Sequence, residues 1–166
     1  TDLDTLVASV LEQSKSPLLL ILDQITDARN FGAIIRTAEC TGVDGIIILK
    51  KGGAPVSADT VKTSAGAIFN IPVCKVDHIK DALYYLQGSG FKVLGASEKT
   101  TNSYFDADLT GAMGLVLGSE DKGISKSIIP LLDGLISLPM VGKTKSLNVS
   151  VACGALLFEA VRQRGI

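Results

Sequence analysis

Histidine is nearly missing: the 166 residues contain one, His78. It follows Asp77 where a helix is expected to start, far in sequence from the polar loops described below, which suits a surface or capping role. This argues against Ser-His-Asp and Cys-His catalysis and against histidine-rich metal centres. Cysteine is also sparse, and the odd set Cys40, Cys74 and Cys153 is scattered among apolar residues. That pattern suits buried thiols in a reducing compartment, with no disulfide and no metal site. There is no excess of either charge, with 16 basic and 17 acidic residues and a net charge of −1. A general basic field for nucleic acid is therefore absent, and any RNA contact must be local or assisted. No apolar stretch approaches the roughly 20 residues of a membrane-spanning helix, and no charged segment followed by a cleavage pattern opens the chain. The expected location is the cytoplasm, with no membrane partner.

Two common phosphate-binding signatures fail as well. Gly118 to Gly123 has the two glycines of a P-loop, but Ile124-Ser125 stands where Lys-Ser/Thr belongs, and Gly142-Lys143-Thr144 has Ser137 in place of the first glycine. No Gly-x-Gly-x-x-Gly follows the first expected strand, so a nicotinamide-binding fold lacks its fingerprint. The ligand must be held by other loops.

Hydrophobic residues make up 46% of the chain, enough for one domain with a substantial core. Apolar runs of four to six residues recur at Leu18 to Leu22, Gly45 to Leu49, Ile71 to Val76, Phe91 to Ala96, Gly114 to Leu117 and Leu135 to Leu138. They do not alternate, as expected for strands covered on both faces. Helical spacing appears at Leu3 to Leu11, with Asp2 or Asp4 as N-cap, and at Phe31 to Cys40, Ser57 to Ala65, His78 to Gln87, Ser125 to Leu132 and Leu147 to Arg164. Alternating strands and helices predict an α/β fold with a mainly parallel sheet flanked by helices. Glu98 to Thr110 has no period and reads as a surface loop.

Three polar loops follow apolar strands. The first, Asp23 to Glu39, offers Asn30 as an N-cap, Gly32 for close backbone approach, and Arg36 among isoleucines. Arg36 either pairs with Glu39 three residues on or grips an anionic or polar substrate. The second, Leu115 to Gly123, places Glu120 at a strand's C-terminal tip, where open α/β sheets bind ligands; Glu120 is either a substrate-side group or a solvated carboxylate. The third, Ile136 to Ser150, brings Ser146 and Asn148 to the start of the last helix, Ser146 being placed to cap it.

Asp27-x-x-Asn30-x-Gly32-x-x-x-Arg36-Thr37-Ala38, Gly118-Ser-Glu-x-x-Gly123 and Ile136-Ser-Leu-Pro-Met140 followed by Ser146-Leu-Asn-Val-Ser150 resemble the SpoU, or TrmH-like, family of the SPOUT class, S-adenosylmethionine-dependent RNA ribose 2′-O-methyltransferases. The resemblance spans Leu18 to Arg164 and is greatest to the bacterial branch acting on a guanosine of 23S ribosomal RNA, with transfer RNA as the other target and a silent RNA-binding module on the same scaffold as the non-enzymatic alternative. It implies a deep trefoil knot formed by the C-terminal part. It also implies S-adenosylmethionine held near Gly118, Ile136, Leu138, Met140, Leu147 and Asn148, and chemistry by Arg36, Asn30, Glu120, Ser146 and Asn148. Because a guanidinium stays protonated, Arg36 is expected to orient the ribose hydroxyl and an adjacent phosphate rather than act as a simple base. A homodimer through the last helix, where Ala152, Gly154 and Ala155 are small, would complete each site with the partner's first loop.

Residues 1–16 are expected to be a connecting helix from an absent N-terminal RNA-recognition domain, and 17–166 the catalytic domain. The chain departs from the family pattern at Ala28 and at Asp121, where proline and glycine are common. A positive φ at Asp121 would be costly.

Overall fold

The computed structural model describes residues 1–52 and 56–165. Its centre is a six-stranded sheet: β1 (Leu18–Asp23), β2 (Gly45–Leu49), β3 (Val73–Val76), β4 (Lys92–Ala96), β5 (Met113–Gly118) and β6 (Gly134–Ile136), in the order β3-β2-β1-β5-β4-β6. Every neighbouring pair is parallel. All six residues of β1 are buried, which explains why its apolar run does not alternate: both of its faces meet helices.

Helices α2 (Ala28–Cys40), α3 (Ala58–Thr63) and α5 (Val149–Gln163) lie on one side of the sheet. Helices α1 (Leu3–Gln13) and α4 (Ile79–Gly88) lie on the other. Leu6, Val7 and Val10 of α1 join the second core, and Leu6 Cδ1 lies 2.9 Å from where a Cβ on Gly45 would stand. The expected connecting helix is thus packed onto the sheet.

Strands β1 and β5 are neighbours, yet the chain leaves β1 toward β2 and leaves β5 toward β6, on opposite sides. Such a reversal opens a crevice at the carboxyl ends of the strands. The three polar loops all emerge there.

Several expectations are corrected at element ends. The first helix keeps one of its two expected caps, Asp2, whose side chain accepts from Thr5 N. Asn30 does not cap α2; Asp27 does, its Oδ1 accepting from Arg29 N at 2.8 Å and Asn30 N at 3.0 Å. Ser125 to Leu132 is not a helix but a short 3-10 turn, Ile129–Leu131, because Pro130 supplies no N–H for the bond to residue 126 and its ring crowds that carbonyl. Strand β6 stops at Ile136, where Ser137 turns to bridge Ser103. Cys40 is exposed, on the outward side of α2, whereas Cys74 and Cys153 are buried. Burial pushes the Cys153 thiol up to about 12, so it stays protonated and unreactive.

Candidate active site

Asn148 organises the site. It is the N-cap of α5, its Oδ1 accepting from Ser150 N at 2.9 Å. Ser146 was the expected cap, but it lies two residues too early; it is exposed and borders the cleft described below. With Oδ1 turned to the helix, the Asn148 amide nitrogen donates to Glu120 Oε1 at 2.7 Å and to Asn30 Oδ1 at 3.1 Å. Both hydrogens of that nitrogen are used, which fixes the orientation of the amide. Glu120 Oε1 also accepts from Val149 N at 3.0 Å, so a carboxylate sits on the positive end of α5. One residue from each of the three loops thereby meets in one hydrogen-bonded chain. Asn30, having accepted through Oδ1, keeps its own amide nitrogen free to donate, since no partner for it occurs among the described residues.

Glu120 is held in place by its loop. A Cβ on Gly118 would come within 2.2 Å of the Gly123 carbonyl carbon, so only glycine lets the end of β5 pack against the returning chain. Gly123 N donates to Ser119 O at 2.8 Å and Gly123 takes the left-handed turn, with φ 67°. Asp121 is not among the residues with positive φ. The glycine that many relatives of this motif carry there is therefore not required, and the concern over its loss is removed. The far end of the loop is pinned by Asp23, 2% exposed, through Ser125 N.

Arg36 stands apart from this chain. In a helix it lies six residues, about 9 Å and a third of a turn, from Asn30. It is exposed, while Ile34 and Ile35 turn into the core. The ion pair with Glu39 is not made: among the described residues Arg36 has no ion pair or hydrogen bond. Its five donors face outward on the helix that packs against α5 through Thr37 and Gly154.

Beside Glu120 a cleft of about 190 Å³ opens at the ends of β4, β5 and β6, large against the roughly 10–15 Å³ that one water needs. It is lined by Leu117 and Ile136 from the strand ends, by Leu138, Met140 and Leu147 from the third loop, and by Val149, Ala152 and Leu156 of α5. Gly118, Ile136, Leu138, Met140 and Leu147, expected around a cofactor, all line it, whereas Asn148 does not, its side chain being turned to Asn30, Glu120 and Ser150 N instead. The sequence reading missed Ser97, Glu98 and Lys99, which line the cleft from the tip of β4. Glu98 and Lys99 open the stretch expected to be a surface loop, Glu98 to Thr110, which is in part internal: Leu109 is 1% exposed; Ser97 lies just before it. The available signal was the strand before them, since side chains just past a parallel strand reach the ligand edge.

Apolar walls suit an aromatic base and a thioether stem, and a rim with both charge signs, Glu98, Lys99, Asp121 and Lys122, suits an amino-acid group and a cation. The residues present fit a folded sulfonium nucleoside. Among the described residues no three His, Cys, Asp or Glu side chains converge on a metal-sized space, and no helix is long and apolar enough to cross a membrane.

Comparison with known proteins agrees with this geometry. Residues 17–158 match the SpoU rRNA Methylase family. The chain is 40% identical over 155 residues to a 23S rRNA (guanosine-2′-O-)-methyltransferase of Vibrio cholerae, covering 93% of this chain and 63% of that protein. It is 42% identical to an uncharacterized tRNA/rRNA methyltransferase of Synechocystis, covering 99% of this chain and 43% of that protein. The fold superimposes with a TM-score of 0.84 and 31% identity on the SpoU methyltransferase AviRb of Streptomyces viridochromogenes, solved with the cofactor AdoMet, covering 90% of this chain and 58% of that one. The chain thus spans less than two thirds of the length of these proteins.

Proposed function

The chain belongs to the SpoU rRNA Methylase family, and from that premise we propose that it transfers a methyl group from S-adenosylmethionine to a ribose 2′-hydroxyl of RNA, with a guanosine of 23S ribosomal RNA as the target. The observation that carries this reading is the hydrogen-bonded chain Glu120–Asn148–Asn30 at the mouth of an apolar cleft. The donor, when bound, supplies an electrophilic methyl on a sulfonium. Gly118, Ile136, Leu138, Met140, Leu147 and Asn148 are the residues placed to hold it.

The protein's share of the work is positioning. Glu120 and Asn148 are already locked together, so no reorganisation is needed when substrate arrives. The free amide nitrogen of Asn30 can hold a ribose oxygen, and Ser146 lines the substrate side. Arg36 stays protonated and acts as an orienting fork for the hydroxyl and a neighbouring phosphate, which takes or relays the proton. Exposed cations close to the site in the chain, Arg29, Lys122, Lys143 and Lys145, supply local attraction for a phosphate backbone in a chain with no net basic field.

Because Arg36 makes no bond to Glu120 or Asn148 within one copy, the reading includes a homodimer in which the first loop of one copy, through Arg36, completes the cleft of the other, while Asn30 stays with its own. Val151 and Phe158, seven residues apart on α5 and 56% and 59% exposed, give the helix an apolar outer stripe next to α2. The knotted threading of the C-terminal part belongs to the same proposal. Residues 1–16 and 17–166 keep their assignment as connecting helix and catalytic domain, with target choice depending on RNA contacts beyond the cleft.

The test is transfer of a labelled methyl group to purified ribosomal and transfer RNA that lack the modification. The expected result is label in 23S RNA at a guanosine. Label in transfer RNA alone would move the target while keeping the chemistry, and no label in either despite donor binding would favour a silent binding module.

A further inference from the structure

Resting on the donor reading above, we propose that Glu98 is the residue that recognises the donor's ribose, its carboxylate accepting hydrogen bonds from the 2′- and 3′-hydroxyls. Glu98 lies two residues beyond the end of β4 and lines the cleft. It is exposed and, among the described residues, has no ion pair or hydrogen bond, not even with its neighbour Lys99. A vicinal diol presents two donors side by side, and an ionised carboxylate presents two acceptors at matching separation. An acidic side chain at the tip of a parallel strand is a general solution to ribose recognition in open α/β sheets.

The other carboxylates on the rim are otherwise placed. Glu120 Oε1 is taken by Asn148 and by Val149 N, and Asp121 follows it in the same loop. Both therefore stand at the end of the cleft where Asn30 and the acceptor ribose are assigned. Glu98 follows β4, which lies on the far side of β5 from β1 and its Asn30 loop. The part of the donor that does not react is directed there. Lys99, of opposite sign at the same tip, is left for the donor's amino-acid carboxylate.

The assignment is tested by calorimetry on the 166-residue chain with three ligands: S-adenosylmethionine, 5′-methylthioadenosine, which has the diol but no amino-acid group, and the 3′-deoxy form of 5′-methylthioadenosine. Glu98→Ala is expected to weaken the first two about ten- to a hundredfold, as for charge-assisted hydrogen bonds, with Glu98→Gln in between. Removing the 3′-hydroxyl should weaken binding to the unsubstituted protein and leave binding to Glu98→Ala unchanged. An equal penalty for losing the hydroxyl in both proteins would overturn the assignment. So would a Glu98→Ala defect confined to S-adenosylmethionine, which would place the carboxylate on the donor's ammonium group instead. If the unsubstituted protein binds neither S-adenosylmethionine nor methylthioadenosine, the donor reading itself fails, a result separate from the two that reject Glu98 alone. Glu98 is exposed and unpaired, so both variants should melt with the unsubstituted protein, and a melting curve shows that a lost affinity is not a lost fold.

Discussion

Arg36 illustrates what a single residue can disclose. Its isoleucine neighbours made it look like a buried cation in need of a partner, but 100° per residue turns them inward and leaves the guanidinium in solvent without one. A five-donor fork with no partner among the described residues fits the proposed role of a substrate group better than a structural one. Arg36→Ala is therefore expected to lower the transfer rate about 10²- to 10³-fold, the cost of losing one preorganised charged donor, while the dissociation constant for S-adenosylmethionine changes little. Arg36→Lys should recover only part of the rate, because a point charge replaces a fork. Single-turnover transfer together with calorimetry measures both, and turnover by Arg36→Ala close to that of the unsubstituted protein would remove the residue from the mechanism. Asn30, Arg36, Glu120, Ser146 and Asn148 all stood out in the sequence as polar side chains beyond apolar strands, and the structure joins three of them, Asn30, Glu120 and Asn148, in one hydrogen-bonded chain, with Ser146 at the cleft and Arg36 apart. What was not legible was which of them caps which helix, because Asp27 and Asn30, or Ser146 and Asn148, are equally good caps by residue type and only backbone geometry chooses. Glu98 was invisible for another reason: a lone carboxylate in an aperiodic loop carries no pattern.

Among the elements, α5 links the site to the rest of the molecule. Its N-terminus receives two acceptors, Asn148 Oδ1 on Ser150 N and Glu120 Oε1 on Val149 N, and Asn148 ties the two together. Asn148→Ala should cost about 1–2 kcal/mol for a lost cap and hydrogen bonds, lowering Tm by a few degrees. Asn148→Asp keeps the cap but sets a second carboxylate against Glu120. It should therefore retain more helix stability than alanine while abolishing transfer, and the pair of melting curves and rates separates capping from site assembly.

At the other end of α5, Glu159 accepts from Arg162 at 2.7 Å and 3.0 Å and from Gln163 at 2.8 Å. These bonds, those of Arg162 first, hold its carboxyl down to about 2 from an ordinary 4.5. The folded value is the lower one, so the stabilisation is complete above the unfolded value and is lost as pH falls toward about 2. Thermal melts taken downward from neutral pH should show a decline over that window that is shallower in Glu159→Gln. Helix and strand existence was readable from apolar spacing, with one failure, Ser125 to Leu132. There the period was present, but Pro130, six residues in, removes a helical hydrogen bond, and the chain makes only a turn.

In the whole molecule, strand order is what brings distant motifs together. The alternation of elements foretold a parallel sheet, but nothing local could show that β5 would pair with β1, or that β4 and β6 would lie outside it. That order makes one crevice of three loops and adds the tip of β4 to the cleft. The proposed pairing of two copies has a direct consequence. Arg36→Ala lacks the orienting group, whereas Leu138→Trp, filling the cleft, lacks the donor site. Each alone should be inactive, yet a mixture refolded together should regain about a quarter of normal activity, since half the dimers are mixed and each holds one complete site. No recovery in mixed dimers identified by mass would place Arg36 and the cleft in the same copy.

In the proposed reaction the methyl group lands on a ribose oxygen. The most direct measurement is alkaline hydrolysis of RNA labelled by this protein with methyl-tritiated S-adenosylmethionine, because a 2′-O-methylated ribose cannot form the cyclic phosphate through which alkali cleaves the chain. Ribose methylation gives label in alkali-resistant dinucleotides, with guanosine on the 5′ side. Label released as ordinary mononucleotides, which would mean methylation of a base, would contradict it.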